Sequence, residues 1–349
     1  MKKIISAKDV ETLLRQGKTV DAITADAILT PSAKDLLKSA QPRNAVVTKP
    51  AIGLSKPVGP ISSTSSQSDL DAFFFTEELE ELKVQICDVG RRMWERAYVD
   101  GNGGNIAIRV ADDLALCTPT LVSKGFMKPA DLCLVDLEGD QKAGKKKRTS
   151  EILMHLEIMK RQPKAKATAH CHPPHATAFA VAGVEPPTCM IPEIEVFIGK
   201  VPIAPYRTPG TPEMGKLVAD LVDKHNTVLM GNHGAVSWSH QNVEDAYFKM
   251  EILEAYCRTI WVASQLGTPL KTMNPEQLKD LLNIKQNLGI PDSRFGLKEC
   301  ELCDNEEWRP GVMCAVPPKG EVKETNKDSN AESAVQAITE QIMARLGGQ

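Results

Sequence analysis

The stretch Ala167-Thr168-Ala169-His170-Cys171-His172-Pro173-Pro174-His175 constrains this chain most, because it gathers three of the seven histidines. Alternate side chains of an extended backbone share a face, so His170 and His172 leave a strand end together and can converge on one ion. Neutral imidazole suits zinc and similar first-row metals, and a catalytic zinc centre takes three protein ligands and keeps one position open. His233 is the third candidate ligand: it follows the apolar run Thr227-Val228-Leu229-Met230 and sits between Asn232 and Gly234. Three unrelated strand-end histidines are the alternative, but an H-x-H with a distant G-N-H-G favours a metal. His175, directly after two prolines, reads as local structure or as an outer partner of the site.

The flanking sequence limits what surrounds that strand. A chain of 349 residues with 42% hydrophobic and 25% charged residues is that of an ordinary soluble globular protein, with room for two domains or one with appendages. A net charge of -3 argues against general nucleic-acid affinity. No apolar run approaches membrane-spanning length and the N-terminus lacks the apolar core of a secretion signal, so a cytoplasmic protein is expected. Nine cysteines then fit reduced thiols better than a disulfide framework. Cys300, Cys303 and Cys314 lack a clear fourth partner for a structural metal.

Residues 1–40 form a small N-terminal helical segment, with helices expected near 7–15 and 31–37 and a connecting strand. Residues 41–71, rich in Pro, Ser and Thr, read as a flexible linker. A main domain over 72–290 opens on a helix capped by Thr76. The glycine-rich turn Gly101-Asn102-Gly103-Gly104-Asn105 then runs into a strand, either as an anion nest or as a tight hairpin entry. Strands are expected at Leu114–Cys117 and Leu132–Asp136, and Thr149 or Ser150 caps a helix whose first turn holds Glu151. Position alone makes Glu151 a dipole-friendly acid. Thr211 and Asn242 open further helices. Strands alternating with helices at hairpin-like spacing predict α/β layers around a mostly antiparallel sheet. A Cys-containing extension (291–316) and a linker (317–330) lead to an amphipathic helix over 331–349, which reads as a docking element.

Six segments, taken together and in order, resemble the class II aldolase and adducin family: Gly101 to Arg109, Thr118-Pro119-Thr120, Thr149-Ser150-Glu151, His170-Cys171-His172, Ala204-Pro205-Tyr206 and Asn232-His233-Gly234. The resemblance covers a little over half of the chain. It implies a three-layer α/β/α fold, one Zn²⁺ per subunit on His170, His172 and His233, and Glu151 as the catalytic acid/base. Substrate phosphate would be held by Gly104, Asn105, Thr120, Thr149 and Ser150. The implied reaction is reversible cleavage of a deoxyketose 1-phosphate, fuculose or rhamnulose 1-phosphate, to dihydroxyacetone phosphate and lactaldehyde in a homotetramer. Two departures are visible: Leu121 stands where the family's phosphate loop has glycine, and no tyrosine stands near Ile191 to serve as the family's proton donor, leaving Glu193 or Glu195 as substitutes. A sugar-phosphate epimerase or dehydratase of the same family, or a non-enzymatic adducin-like interaction protein, are the alternatives. The N-terminal segment and the tail helix resemble parts of bacterial microcompartment enzymes, implying shell proteins as partners and an encapsulated location.

Overall fold

A computed structural model describes residues 60–298, 301–303 and 305, together with two short strands near the start of the chain. The chain divides into two compact units, Met1–Lys56 and Pro57–Gln349. In the first, β1 (Ile4–Ile5) and β2 (Ile28–Leu29) pair in parallel with Ile4 opposite Ile28. The helices expected near 7–15 and 31–37, most of the expected linker and the tail helix lie outside the described residues.

The second unit is organised by one eight-stranded sheet. Its strands are β3 (Asn105–Ala111), β4 (Leu114–Cys117), β5 (Cys133–Asp136), β6 (Gln141–Ala143), β7 (Ala167–Cys171), β8 (Ile203–Ala204), β9 (Thr227–Met230) and β10 (Gly234–Ser239). They lie in the order β6-β5-β4-β3-β7-β10-β9-β8. Every pairing is antiparallel except β8 with β9. The helices are α1 (Gln67–Phe74), α2 (Glu77–Glu95), α3 (Ile152–Arg161), α4 (Pro174–Ala182), α5 (Pro192–Phe197), α6 (Pro212–Ala219), α7 (Val243–Ser264) and α8 (Pro275–Asn287).

Strand alternation sets the layers. Ile106 and Ile108 of β3 face a core built with Leu70, Ile86, Phe179 and Leu253 of α1, α2, α4 and α7, whereas Ala107 faces Ile152, Leu156 and Val218 of α3 and α6. Burial on both faces, roughly 1.5–3 kcal/mol for each enclosed Leu or Ile, makes the central strands a rigid frame. This is the expected three-layer α/β/α architecture with a mostly antiparallel sheet.

Local signals place the helix starts. Thr76 accepts from Leu79 N at 3.4 Å, Thr211 from Met214 N at 3.4 Å and Asn242 from Asp245 N at 2.9 Å. The linker expected up to residue 71 ends earlier, because Ser66 caps α1 by accepting from Asp69 N at 3.2 Å. A Ser-rich stretch that ends in a capped helix is compositionally hard to tell from a linker.

Packing also continues past the boundary expected at residue 290. Lys285 pairs with Asp292 at 2.7 Å and Arg294 with Glu195 at 2.6 Å, all four buried, under the turn at Gly199. A Cβ on Gly199 would stand 2.2 Å from Asp292 Oδ2, so only glycine fits there. Cys303 is disulfide-bonded to Cys189, 114 residues away in sequence. Among the described residues this single bridge stands beside five free cysteines, so reduced thiols hold except for this pair, and Cys303 is not available as a metal ligand. Cys300 and Cys314 lie outside the described residues.

Candidate metal and proton-transfer site

β7 and β10 run side by side in the middle of the sheet, with Ala235 opposite Cys171. His170 is the penultimate residue of β7, and His172, just beyond it, is held by donating its backbone N–H to Tyr98 O at 2.7 Å. His233 sits in the turn between β9 and β10. Asn232 closes that turn at φ 55°, a left-handed conformation that asparagine adopts more readily than most residues. Gly234 is required by space, since a Cβ would lie 2.6 Å from His172 Cδ2 and 2.7 Å from Cys171 O. The three rings meet with centroids 4.7 to 5.2 Å apart. One ring nitrogen from each lies within 4.8 Å of the others.

The protonation state follows from burial. Desolvation lowers the pKa of His170, His172 and His233, that of His233 to about 4, and the neighbouring imidazoles push His170 and His233 further down. His170 donates Nδ1–H to Ala235 O at 2.8 Å, which leaves the Nε2 lone pair facing inward, 3.2 Å from His172 Nε2. Glu151, at the N-cap of α3, brings Oε2 to 3.4 Å from His170 Nε2 and 3.6 Å from His233 Nε2. That oxygen is buried with no hydrogen-bond partner. Burial pushes the Glu151 carboxyl up to about 7, against the opposing pull of the Asn105 amide and the Lys124 ammonium. Lys124 is itself 1% exposed and donates to Asn102 O at 3.2 Å and Val122 O at 2.9 Å. Inward lone pairs on neutral imidazoles beside an orphaned carboxylate oxygen are a donor set that fits a divalent cation.

The residues expected to hold phosphate adjoin this cluster. Gly104 takes φ +72°, and Asn105 is opposite His170 in the β3–β7 register. Thr149 is buried, donates to Thr118 O at 3.0 Å and accepts from Glu151 N at 3.3 Å, so Glu151 and not Thr149 or Ser150 is the N-cap. Ser150 is exposed, and Thr120 donates to Lys147 O at 2.9 Å. Leu121 keeps the backbone of the glycine it stands for: its φ is +56°, its side chain is 82% exposed and its N–H donates to Asn102 Oδ1 at 2.7 Å. A left-handed leucine costs roughly 1–2 kcal/mol, more than glycine loses in unfolded-chain entropy. Leu121→Gly is therefore expected to raise stability by about 0.5–1 kcal/mol, read as an upward shift in denaturation midpoint; a destabilised variant would contradict the strain.

One expectation is overturned. Glu195 cannot replace the missing tyrosine, because its carboxylate is buried, accepts from Cys189 N at 2.6 Å and pairs with Arg294. Glu193 is exposed. His155 and Lys124 belong to no motif: His155 is a polar residue between Met154 and Leu156, and Lys124 lies between Ser123 and Gly125.

Three imidazoles at the ends of β7 and β10, with the Glu151 carboxylate beside them at the N-cap of α3, form a candidate metal centre on an α/β sheet. Residues 84–261 match the family described as Class II Aldolase and Adducin N-terminal domain, and the chain belongs to that family. An L-fuculose phosphate aldolase of Methanococcus maripaludis is 32% identical over 184 residues, covering 53% of this chain and 96% of the relative. A 3-oxo-tetronate 4-phosphate decarboxylase of Cupriavidus necator is 32% identical over 186 residues, covering 52% of this chain and 84% of the relative. Among solved structures, YgbL of Klebsiella pneumoniae superposes with a TM-score of 0.53 at 27% identity, over 58% of this chain and 98% of that one. An L-fuculose 1-phosphate aldolase superposes at 0.54 and 23% identity, over 60% and 97%, which speaks to the fold.

Proposed function

We propose that the protein is a zinc-dependent aldolase that cleaves a deoxyketose 1-phosphate, fuculose or rhamnulose 1-phosphate, to dihydroxyacetone phosphate and lactaldehyde. The observation that carries this reading is the orphaned Oε2 of Glu151 beside His170 and His233. His170, His172 and His233 would hold the zinc, which as a Lewis acid would polarise the substrate carbonyl and stabilise negative charge beside it. When the bond between C3 and C4 breaks, its electron pair stays on C3, the carbon next to the carbonyl. The C4 hydroxyl gives its proton to solvent water and leaves as the aldehyde. Glu151 delivers a proton to C3, and in the reverse direction removes it. The phosphate would be bound by Gly104, Asn105, Thr120, Thr149 and Ser150 at the start of α3, where a helix N-terminus favours an anion. A homotetramer carried on a microcompartment shell by the tail helix belongs to the same proposal.

A second reading is decarboxylation, which the sequence alternatives of epimerase and dehydratase do not include. It is favoured by the missing tyrosine near Ile191: Tyr98, Tyr247 and Tyr256 are buried, Tyr256 donates to Pro187 O, and Tyr206, half-exposed in the cleft beside His233, is left as the one tyrosine that could exchange a proton there. Aldol cleavage needs a group to exchange the proton of the departing hydroxyl, whereas loss of carbon dioxide from a 3-oxo acid leaves the same carbanion without one. The zinc-loaded protein assayed on fuculose 1-phosphate, rhamnulose 1-phosphate and 3-oxo-tetronate 4-phosphate separates the two. Lactaldehyde from either sugar supports the aldolase; carbon dioxide from the third alone replaces it with the decarboxylase.

A further inference from the structure

His155 lies one helical turn after Glu151 on α3, is fully buried, and hydrogen-bonds outside the histidine cluster. Its ring is nonetheless held at both nitrogens. Nδ1 is 2.6 Å from Thr168 Oγ1 and Nε2 is 2.5 Å from Asn105 Oδ1. Burial pushes its pKa down to about 3, so the imidazole is neutral and carries one N–H. The amide oxygen of Asn105 can only accept, so Nε2 bears the hydrogen and Nδ1 accepts from the Thr168 hydroxyl. That 2.6 Å bond takes precedence over the 3.5 Å approach of the same hydroxyl to Ala107 O.

The other end of the Asn105 amide is thereby determined. With Oδ1 on His155, the NH2 group is the end that meets the Glu151 carboxylate, which it holds lower against the effect of burial. The opposite amide orientation would set Oδ1 against the carboxylate, acceptor to acceptor, and leave a buried group unpaired. Thr168, His155, Asn105 and Glu151 thus form one directional chain crossing from β7 through α3 to β3 and back to the site.

We propose that His155 is a positioning residue, which by fixing the Asn105 amide aims the Glu151 carboxylate at the carbon that gains or loses a proton. The inference rests on the reading of Glu151 as acid/base given above. Outer partners of functional groups commonly contribute 10–100-fold to activity, because a buried carboxylate that is free to rotate is seldom in reacting geometry.

The test is deuterium exchange from solvent into dihydroxyacetone phosphate, followed by NMR with the zinc-loaded full chain, since this reads proton transfer without any aldehyde. His155→Leu is expected to lower the exchange rate constant by about 10–100-fold while zinc content stays close to the parent value. His155→Gln, whose amide can donate to Asn105 Oδ1, should recover most of the rate. A Leu variant that exchanges at the parent rate overturns the proposal, and so does equal loss in the Leu and Gln variants, which would assign His155 to packing. If the Leu variant does not fold, Thr168→Val decides: a several-fold loss is expected, and an unchanged rate overturns the relay. A parent protein that holds zinc but exchanges nothing overturns the acid/base reading itself, a different result from parent exchange that is indifferent to His155.

Discussion

Glu151→Gln is expected to keep one zinc per chain and to lose about 10²–10⁴-fold in kcat, the range for removing a positioned acid/base. The glutamine fills the same space at the N-cap of α3 but can neither take nor return a proton. The loss should appear equally in kcat and kcat/KM, because the proton moves only in the transition state. A second readout concerns the metal-free protein. Burial raises the Glu151 pKa from 4.5 to about 7, so the charged carboxylate is the unfavourable form in the fold. The stability associated with the protonated form is fully present below the unfolded value of 4.5 and is lost as pH rises through about 7. Metal-free Glu151→Gln should therefore unfold at a higher temperature than the parent at pH 8, with the gap closing toward pH 4. A variant that keeps full activity sinks the assignment of the base, and one no more stable than the parent at pH 8 sinks the account of its burial.

That stability difference reflects why this site was readable in parts. His170, His172 and His233 could be found because two simple rules position them: side-chain alternation at a strand end, and a glycine–asparagine turn that joins two strands. Glu151 was not readable from position, where an acid in a first helical turn has an ordinary explanation. Only the order of the surrounding motifs drew attention to it. His155 was visible as a polar residue between Met154 and Leu156, but its partners Asn105 and Thr168 are 50 and 13 residues away, and no local pattern joins them. The packing of the segment after residue 290 is hidden for the same reason: the contacts that bind it, Arg294 to Glu195 and Cys303 to Cys189, connect residues about a hundred positions apart. Leu121 is the converse case, since the sequence departs from glycine and the backbone does not.

Replacing a ligand should have an effect as large as replacing the base. His170→Ala is expected to weaken zinc binding by more than about 100-fold, since loss of an outer partner alone can reach that figure, and to reduce turnover to background. His170 is the ligand to choose because it is fully buried and its orientation is fixed by the bond from Nδ1 to Ala235 O. In the parent, free zinc at 100 times its Kd should stabilise the fold by about 2.7 kcal/mol, and the variant should show no such shift. The pH dependence distinguishes this centre from a chance cluster of exposed histidines. Ordinary imidazoles must give up protons to bind metal below about pH 6.5, but here burial already lowers all three, His233 to about 4. In the Glu151→Gln background zinc affinity should therefore begin to fall only below the ordinary imidazole value of about 6.5, whereas in the parent the Glu151 carboxyl, raised to about 7 by burial, adds a proton release of its own. In that variant, an affinity that falls tenfold per pH unit from about 6.5 downward would mean that the imidazoles are protonated before the metal arrives, and that the buried lone pairs do not form a prepared site.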